Sequence, residues 1–431
     1  MVPVVAALLA ALQIPGAPES SGGPGILAIE GARILTMAGS PVDSGTVLIA
    51  EGKVKAVGAS VEVPADAKRI DARGKTVIPG LIDALSRLYV YPEELAEGTA
   101  VAPELRIMDG IDPYAEHTDE VLRHGVTAVQ IAPGDRSLLG GMTAVLKVEP
   151  QTGVVGLITD SAAVRGQIGV PAGDTNSSLA RLTTYASIRE ALLSTQDYLF
   201  VQGKYDRDLA RYDKKRAEAL AKADGDAAKA QLPERPRKPA TERNYAVLAR
   251  VLKGELPLQI EAHRVADILN ALRLKDEFAV SLVLLGCSEG YRIPGEIARR
   301  HVPVIVAPVS LSFSGPAPVR YGEHSRANAA VLAKAGVKVA LGVGGTDGLQ
   351  SKFVRACAAI AAANGLDRDL ALRAVTANAA EMLGVSNRLG TIAEGRDADL
   401  VLLDGDPLST LSTVETVVLD GAVVYQKGGD R

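Results

Sequence analysis

The segment at residues 77–88 constrains the fold more than any other part of the chain. An apolar run is interrupted by a Pro-Gly pair and then presents Asp83, Leu85 and Arg87 at alternate positions. Alternate residues of a β-strand lie on the same face. We therefore expect a strand that enters a domain here and directs three side chains to one place.

The centre of the chain alternates between strand-like and helix-like segments. The pattern predicts a helix at residues 118–124 and strands at residues 126–132, 256–263, 279–285, 302–307 and 337–342. Strands that alternate with helices predict an α/β fold with a parallel sheet. The number of these units favours a (β/α)8 TIM-like barrel, in which functional groups lie at the carboxyl ends of the strands.

Both ends of the chain have a different pattern. Residues 26–57 and 398–425 alternate apolar and polar side chains between glycine-containing turns. This alternation is typical of strands with one buried and one solvated face. We expect the two segments to supply the two sheets of a small β-sandwich.

Composition and charge exclude several kinds of partner. The net charge of −4, the aromatic content of 3% and the absence of Trp argue against a nucleic-acid partner. The apolar run at residues 4–12 is too short to span a membrane as a helix, so we expect no membrane partner. It suits a signal peptide, and residues 1–25 are a possible leader. The protein is then secreted or periplasmic if this leader is cleaved, and cytoplasmic otherwise.

A charged segment at residues 204–243 mixes Lys, Arg and Asp and then becomes rich in Pro. Mixed-sign runs of this kind normally face water. The pattern therefore predicts a charged helical insertion followed by a Pro-rich return. A basic docking element is the alternative.

Two motifs resemble the amidohydrolase superfamily. Residues 79–87 are similar to its first barrel strand, Pro-Gly-hydrophobic-hydrophobic-Asp-x-His-x-His, and residues 389–401 are similar to its Gly-x-Ile-x-x-Gly-x-x-Ala-Asp-Leu-Val motif. The likeness is greatest to imidazolonepropionase-like bacterial members and runs from about Ile26 to Tyr425. It implies a barrel at residues 77–388, a composite β-sandwich domain at residues 26–76 and 389–431, and a lineage that hydrolyses non-peptide C–N bonds.

The same resemblance implies where a catalytic metal would be bound. Amidohydrolases use a divalent cation to activate water, which requires several His, Asp or Glu ligands. Five of the positions that correspond to those ligands are occupied by other residues, Leu85, Arg87, Gln167, Glu261 and Gly286, and of the ligand set Asp347 alone remains. His263, the second histidine of the family's His-x-His-Arg pattern, is retained. We therefore expect no metal.

The replaced residues also suggest a substitute for the metal. If Arg87, Glu261 and Asp347 converge as the resemblance implies, a guanidinium held by two carboxylates would compensate their buried charge. We therefore hypothesise an ion pair of Arg87 with Asp347 and Glu261.

Two functions remain open from the sequence. The first is a non-catalytic protein with a degraded metal site, acting in binding a small-molecule ligand or in an interaction. The alternative is a working amide or cyclic-amide hydrolase whose catalytic groups are Asp347, His263 and Glu261, with zinc or another divalent metal as cofactor. A metal-free acid/base enzyme that uses Glu261 and Asp347 is a minor third possibility. The resemblance also implies a homo-oligomer, or pairing with an active relative.

Overall fold

The computed structural model describes residues 25–90, 101–133, 137–153, 155–169, 178–222, 231–307, 323–344 and 347–428. Residues 1–24 of the possible leader lie outside the described residues. The strands are β1 (Leu27–Ile34), β2 (Val42–Ala50), β3 (Lys53–Gly58), β4 (Lys68–Asp71), β5 (Thr76–Pro79), β6 (Leu81–Ser86), β7 (Val126–Ile131), β8 (Leu139–Met142), β9 (Ala144–Lys147), β10 (Gly156–Thr159), β11 (Val164–Gln167), β12 (Leu258–Ala262), β13 (Leu282–Gly286), β14 (Val304–Val306), β15 (Val339–Leu341), β16 (Leu400–Leu403), β17 (Val414–Leu419) and β18 (Ala422–Gln426).

The helices follow the strands in the alternation expected of an α/β protein. They are α1 (Thr118–Arg123), α2 (Ser178–Lys222), α3 (Arg243–Leu252), α4 (Val265–Phe278), α5 (Pro294–Arg299), α6 (Asn328–Lys334), α7 (Val354–Ala363), α8 (Arg368–Ala374) and α9 (Ala377–Met382). Short 3-10 helices occur at Ile107–Gly110, Gly290–Arg292 and Gly348–Phe353.

Strands from both ends of the chain form one eight-stranded sheet, in the order β18-β17-β16-β5-β1-β2-β3 with β4 beside β1. Strand β16 pairs antiparallel with β5, so that Leu400 lies opposite Pro79. We predicted two separate sheets from this alternating pattern, whereas hydrogen bonds join all these strands in one. Val54 of β3 exchanges backbone hydrogen bonds with Gly395 and Arg396, which lie just before β16. The β3 edge therefore lies next to the segment that leads into β16, and the sheet is curled.

The centre of the protein contains two further sheets. The order of one is β10-β9-β7-β6 and that of the other is β15-β14-β13-β12-β11-β8. Strands β11 to β15 are parallel, as are β6 and β7. The N–H of Gly344 donates to the carbonyl of Leu85 at 3.2 Å, and the N–H of Thr143 donates to that of Ala163 at 2.9 Å, so the sheets are linked at both sides. The described chain is therefore α/β, with mainly parallel central strands.

Apolar side chains explain why these strands lie at the centre. All six residues of β7 are buried, which fits a strand covered on both faces. Strands of the two sheets share one cluster of buried side chains, whose strand members are Ile82, Ala84, Ala128, Val145, Val283, Leu285, Ile305 and Ala340. The two sheets therefore enclose a common core.

The charged segment that we expected at residues 204–243 begins inside α2, a helix of 45 residues. Its Pro-rich part, at residues 231–242, has no regular secondary structure and leads into α3. Among the helices that the structure describes, none is long and apolar enough to cross a membrane.

Candidate ligand-binding site

Polar side chains meet at the carboxyl ends of β11 and β12. Gln167 lies opposite Glu261 in the parallel register, and Arg165 lies opposite Gln259. Register partners on adjacent strands point to the same face of a sheet. Because ligands of parallel α/β sheets bind outside the carboxyl ends of the strands, this edge is the candidate site.

Two side chains of the described part of the chain, Arg165 and His263, contact the carboxylate of Glu261. Arg165 donates a hydrogen bond from its guanidinium to Glu261 Oε2, and the two form an ion pair. The other oxygen, Oε1, lies 2.9 Å from His263 Nε2. The side chains of Arg165 and Glu261 are 9% and 13% exposed, so this pair is largely removed from water. In a charge-assisted pair of this kind, the positive charge of Arg165 compensates the negative charge of the Glu261 carboxylate.

His263 continues the chain of hydrogen bonds to the next strand. Its Nδ1 lies 2.8 Å from the hydroxyl of Ser288, which follows β13. The ring also fills the space beside Gly286, since a Cβ built on Gly286 would lie 2.3 Å from His263 Cε1. Gly286 has a φ of 74°, in the left-handed region where glycine is favoured. Its conformation and its neighbour therefore both disfavour a larger side chain at this position.

The remaining predicted residues lie on β6 and in the segment after β15. Leu85 packs beside Gly342 and belongs to the margin of the shared core. Asp347 is exposed, and its carboxylate accepts the N–H of Leu349 at 2.7 Å, which caps the 3-10 helix Gly348–Phe353. The carboxylate of Asp347 therefore has a backbone partner in its own turn. The hypothesised ion pair of Arg87 with Asp347 and Glu261 stays a prediction.

Asp83 connects β6 to the segment after β15. It is fully buried and accepts hydrogen bonds from the N–H groups of Leu85 and Val343, each at 3.0 Å, and from the Ser351 hydroxyl at 2.7 Å. Burial raises the pKa of Asp83, although the three donors act in the opposite direction. Its contacts assign Asp83 the role of holding the end of β6 in place.

Replacing Ser351 with Ala is expected to lower the free energy of unfolding by about 1–2 kcal/mol, because Asp83 then loses a donor while it stays buried. Urea denaturation measures this change. The matched control is Ser386→Ala, at an exposed position, for which we expect a change below about 0.5 kcal/mol. Equal stability of Ser351→Ala and the wild type would contradict the role assigned to Asp83.

A second polar cluster lies at the amino ends of β6 and β7, away from the candidate site. Lys147 is opposite Ala128 in β7, and its side chain is 2% exposed. Its ammonium lies 2.8 Å from Asp397 and 3.0 Å from Asp399, and it also contacts Asp420. Burial lowers the pKa of Lys147, but the three carboxylates together raise it above the usual value, so this lysine is charged.

The same cluster contains one further carboxyl group, that of Glu149. Lys147, Lys53 and Arg388 already balance the three aspartates around them. Burial raises the pKa of Glu149 to about 7, and repulsion from Asp420 acts in the same direction. Burial likewise raises the pKa of Asp399 to about 6. The cluster therefore lies between the eight-stranded sheet and the central sheets. It contains one carboxyl group more than its three cations balance.

A cavity of about 740 Å³ opens at the amino ends of the parallel strands. Residues that immediately precede strands line it, among them Pro257, Ser281, Pro303 and Lys338. None of the site residues predicted from the sequence belongs to its lining among the described residues. Their side chains belong to the opposite end of the strands.

Comparison with known proteins agrees with the fold and the motifs. The Amidohydrolase family model matches residues 295–425. An imidazolonepropionase from Geobacillus sp. (strain WCH70) is 24% identical over 90% of this chain and 91% of its own length. The amidohydrolase tasK from Hapsidospora irregularis is 23% identical over 88% of this chain, which spans only 40% of that protein. The crystal structure of an amidohydrolase from Thermotoga maritima MSB8 superposes on this chain with a TM-score of 0.77. The two sequences are 27% identical, and the superposition covers 93% of this chain and 100% of the Thermotoga chain.

These likenesses, together with the motifs at residues 79–87 and 389–401, support the amidohydrolase superfamily as the class of this protein. In the part of the chain that the structure describes, no group of three or more His, Cys, Asp and Glu side chains is arranged to hold a metal ion.

Proposed function

We propose that this amidohydrolase-superfamily protein binds a small organic molecule at the carboxyl ends of β11, β12 and β13, and that it has lost the metal-dependent hydrolysis of C–N bonds. The observation that carries the proposal is the environment of Glu261. Its carboxylate is already compensated by Arg165 and hydrogen-bonded to His263, so it is not available to a cation without breaking both contacts.

The chemistry of the donor set supports this proposal. A catalytic zinc ion takes three protein ligands and keeps one open position. Leu85 and Gly286 offer no ligand atom, and the ring of His263 occupies the space beside Gly286. Asp347 bonds to the backbone of its own turn. The residues present therefore do not fit the metal that the superfamily uses.

The groups that remain suit a polar ligand. The amide nitrogen of Gln167 is buried and has no hydrogen-bond partner among the described residues. Buried polar groups are normally paired, so an amide donor beside Glu261 favours a ligand that carries a carbonyl or carboxyl oxygen. Gln167 thus provides recognition at a position where the resemblance implies a bridging acid.

We extend the proposal to the architecture and the assembly. The hydrogen bonds that link the two central sheets support a (β/α)8 barrel at residues 77–388, and the curled sheet supports a composite domain at residues 26–76 and 389–431. A homo-oligomer, or pairing with an active relative, would fit a protein whose role is binding.

Metal content tests the proposed function. The protein is purified without chelators, supplemented with zinc, freed of loose metal and analysed for elements. We expect no stoichiometric zinc, and we expect Asp347→Asn to leave folding unchanged, because the side-chain oxygen of Asn caps a helix about as well as that of Asp. About one equivalent of zinc per chain, lost in Asp347→Asn, would overturn the proposal and favour a single-metal amide hydrolase that uses Glu261, His263 and Asp347.

A further inference from the structure

The turn that follows β13 has a sequence not used by the proposed function. Residues 286–290 read Gly-Cys-Ser-Glu-Gly, directly after the strand and directly before the 3-10 helix Gly290–Arg292 and helix α5. A Gly-x-Ser-x-Gly turn between a strand and a helix presents its serine at the carboxyl edge of a sheet. Ser288 is the central residue of this turn.

The backbone of the turn is tightly held. Cys287 has a φ of 49°, which is uncommon for a residue with a side chain. Its N–H donates to the carbonyl of Ala262, and its own carbonyl accepts from the side-chain amide of Asn328 at 2.9 Å. The N–H of Glu289 donates to the carbonyl of His263 at 2.9 Å. The turn is therefore fastened to the strand end that carries the histidine.

Three side chains form a linear series across β12 and this turn. The hydroxyl of Ser288 lies 2.8 Å from His263 Nδ1, and His263 Nε2 lies 2.9 Å from Glu261 Oε1. With the proton on Nε2 directed at the carboxylate, Nδ1 presents its lone pair to the hydroxyl. This is the order of nucleophile, base and orienting carboxylate that activates a serine. Arg165 fixes the carboxylate from its other side.

We propose that Ser288 is the nucleophile of a metal-free acyl transfer, with His263 as its base and Glu261 as the residue that orients the imidazole. The substrates are small esters or amides, since Ser288 is only 5% exposed. The inference rests on the proposed function in one respect, because the same site must work without a metal ion.

The proposed reaction balances with water as the only co-reactant. Ser288 Oγ bonds to the acyl carbon while its proton passes to His263 Nδ1. The bond to the alcohol or amine then breaks, and the leaving group takes that proton, which leaves an acyl ester on Ser288. A water molecule gives a proton to His263 and attacks the ester, and Ser288 recovers the proton as the acid departs. The amide nitrogen of Gln167 supplies a donor for the carbonyl oxygen.

Covalent labelling tests the proposal. The full-length protein, with and without EDTA, is treated with a small alkyl fluorophosphonate and its intact mass is measured. We expect one phosphonyl adduct per chain, mapped to Ser288, at the same rate with EDTA. Ser288→Ala should give no adduct, and His263→Gln should slow labelling by about 100-fold or more. Ser281→Ala, at an exposed position just before the same strand, is the matched control and should label as the wild type does.

Mapping on the wild-type protein keeps the test independent of whether the variants fold. No adduct on the wild type, or an adduct on another residue, would overturn the role of Ser288. If that protein still binds a carbonyl-containing ligand without metal, the role of Ser288 is rejected but the proposed function is retained. Labelling of Ser288 together with stoichiometric zinc and EDTA-sensitive hydrolysis would instead overturn the proposed function.

Discussion

Replacing Lys147 with Met is expected to lower the free energy of unfolding by about 3–5 kcal/mol, because it leaves buried carboxylates without their cation. Methionine keeps most of the volume of the side chain, so the change isolates the charge. Asp399 is the residue most affected, since it is buried and no ion pair other than the one with Lys147 is found for it among the described residues. Equilibrium unfolding in urea at pH 7 measures the loss.

The matched control for this prediction is Lys53→Met. Lys53 also pairs with Asp397, but its side chain is 41% exposed. Water solvates and screens an exposed pair, so we expect a loss below about 1 kcal/mol. Equal losses for the two variants would show that burial of Lys147 does not decide the stability of the cluster.

Replacing Glu149 with Gln is expected to stabilise the protein at high pH and to have no effect at low pH. Burial raises the pKa of Glu149 to about 7 in the folded protein, from a usual value of 4.5. The folded state therefore binds the proton more tightly than the unfolded state does. The resulting stability is fully present below pH 4.5 and is lost as the pH rises through 7. At pH 8 the Gln variant should be more stable by about 2–3 kcal/mol.

Urea denaturation at pH 4.5, 6 and 8 tests this prediction. The difference between Glu149→Gln and the wild type should increase with pH over that range. The same change at exposed Glu62 serves as the control and should alter stability by less than about 0.5 kcal/mol. A constant difference at all three pH values would rule out titration of Glu149 as its cause.

The alternation of strands and helices could be predicted because buried elements are recognisable in the sequence by their apolar residues. Strand β7 is buried throughout and four of its six residues are apolar, and the glycine after α1 marks where that helix ends. The pairing of β5 with β16 could not be predicted from the residues alone. These strands lie at opposite ends of the chain, and their apolar faces are compatible with one sheet as well as with two.

The candidate site was predictable in part. The strand pattern placed Glu261 and His263 at the end of a strand, where the structure has them. The hypothesis for Asp347 depended on the direction of a loop after β15, which no periodicity specifies. That aspartate begins a 3-10 helix, and its carboxylate accepts a bond from the backbone two residues later. The partner of Glu261 was missed because Arg165 comes from β11, a strand that the alternation did not identify.

Two features that the sequence analysis missed had recognisable signals. A lysine at the end of the buried run Ala-Val-Leu-Lys in β9 requires a compensating charge, which could have directed attention to Asp397 and Asp399. The Gly-x-Ser-x-Gly pattern around Ser288 was equally readable. This pattern indicates a nucleophile only when a strand precedes it and a helix follows it.

The position of the partners of Lys147 has a consequence for synthesis on the ribosome. Lys147 emerges long before Asp397, Asp399 and Asp420, and β5 likewise emerges long before its neighbour β16. Until those late residues appear, the ammonium group must stay hydrated, and β9 cannot be buried in its final position. Closing contacts between such distant segments is slow and costs chain entropy. A nascent chain that stalls before residue 420 therefore remains open to proteases and chaperones, and folding is completed after the last strands have been translated.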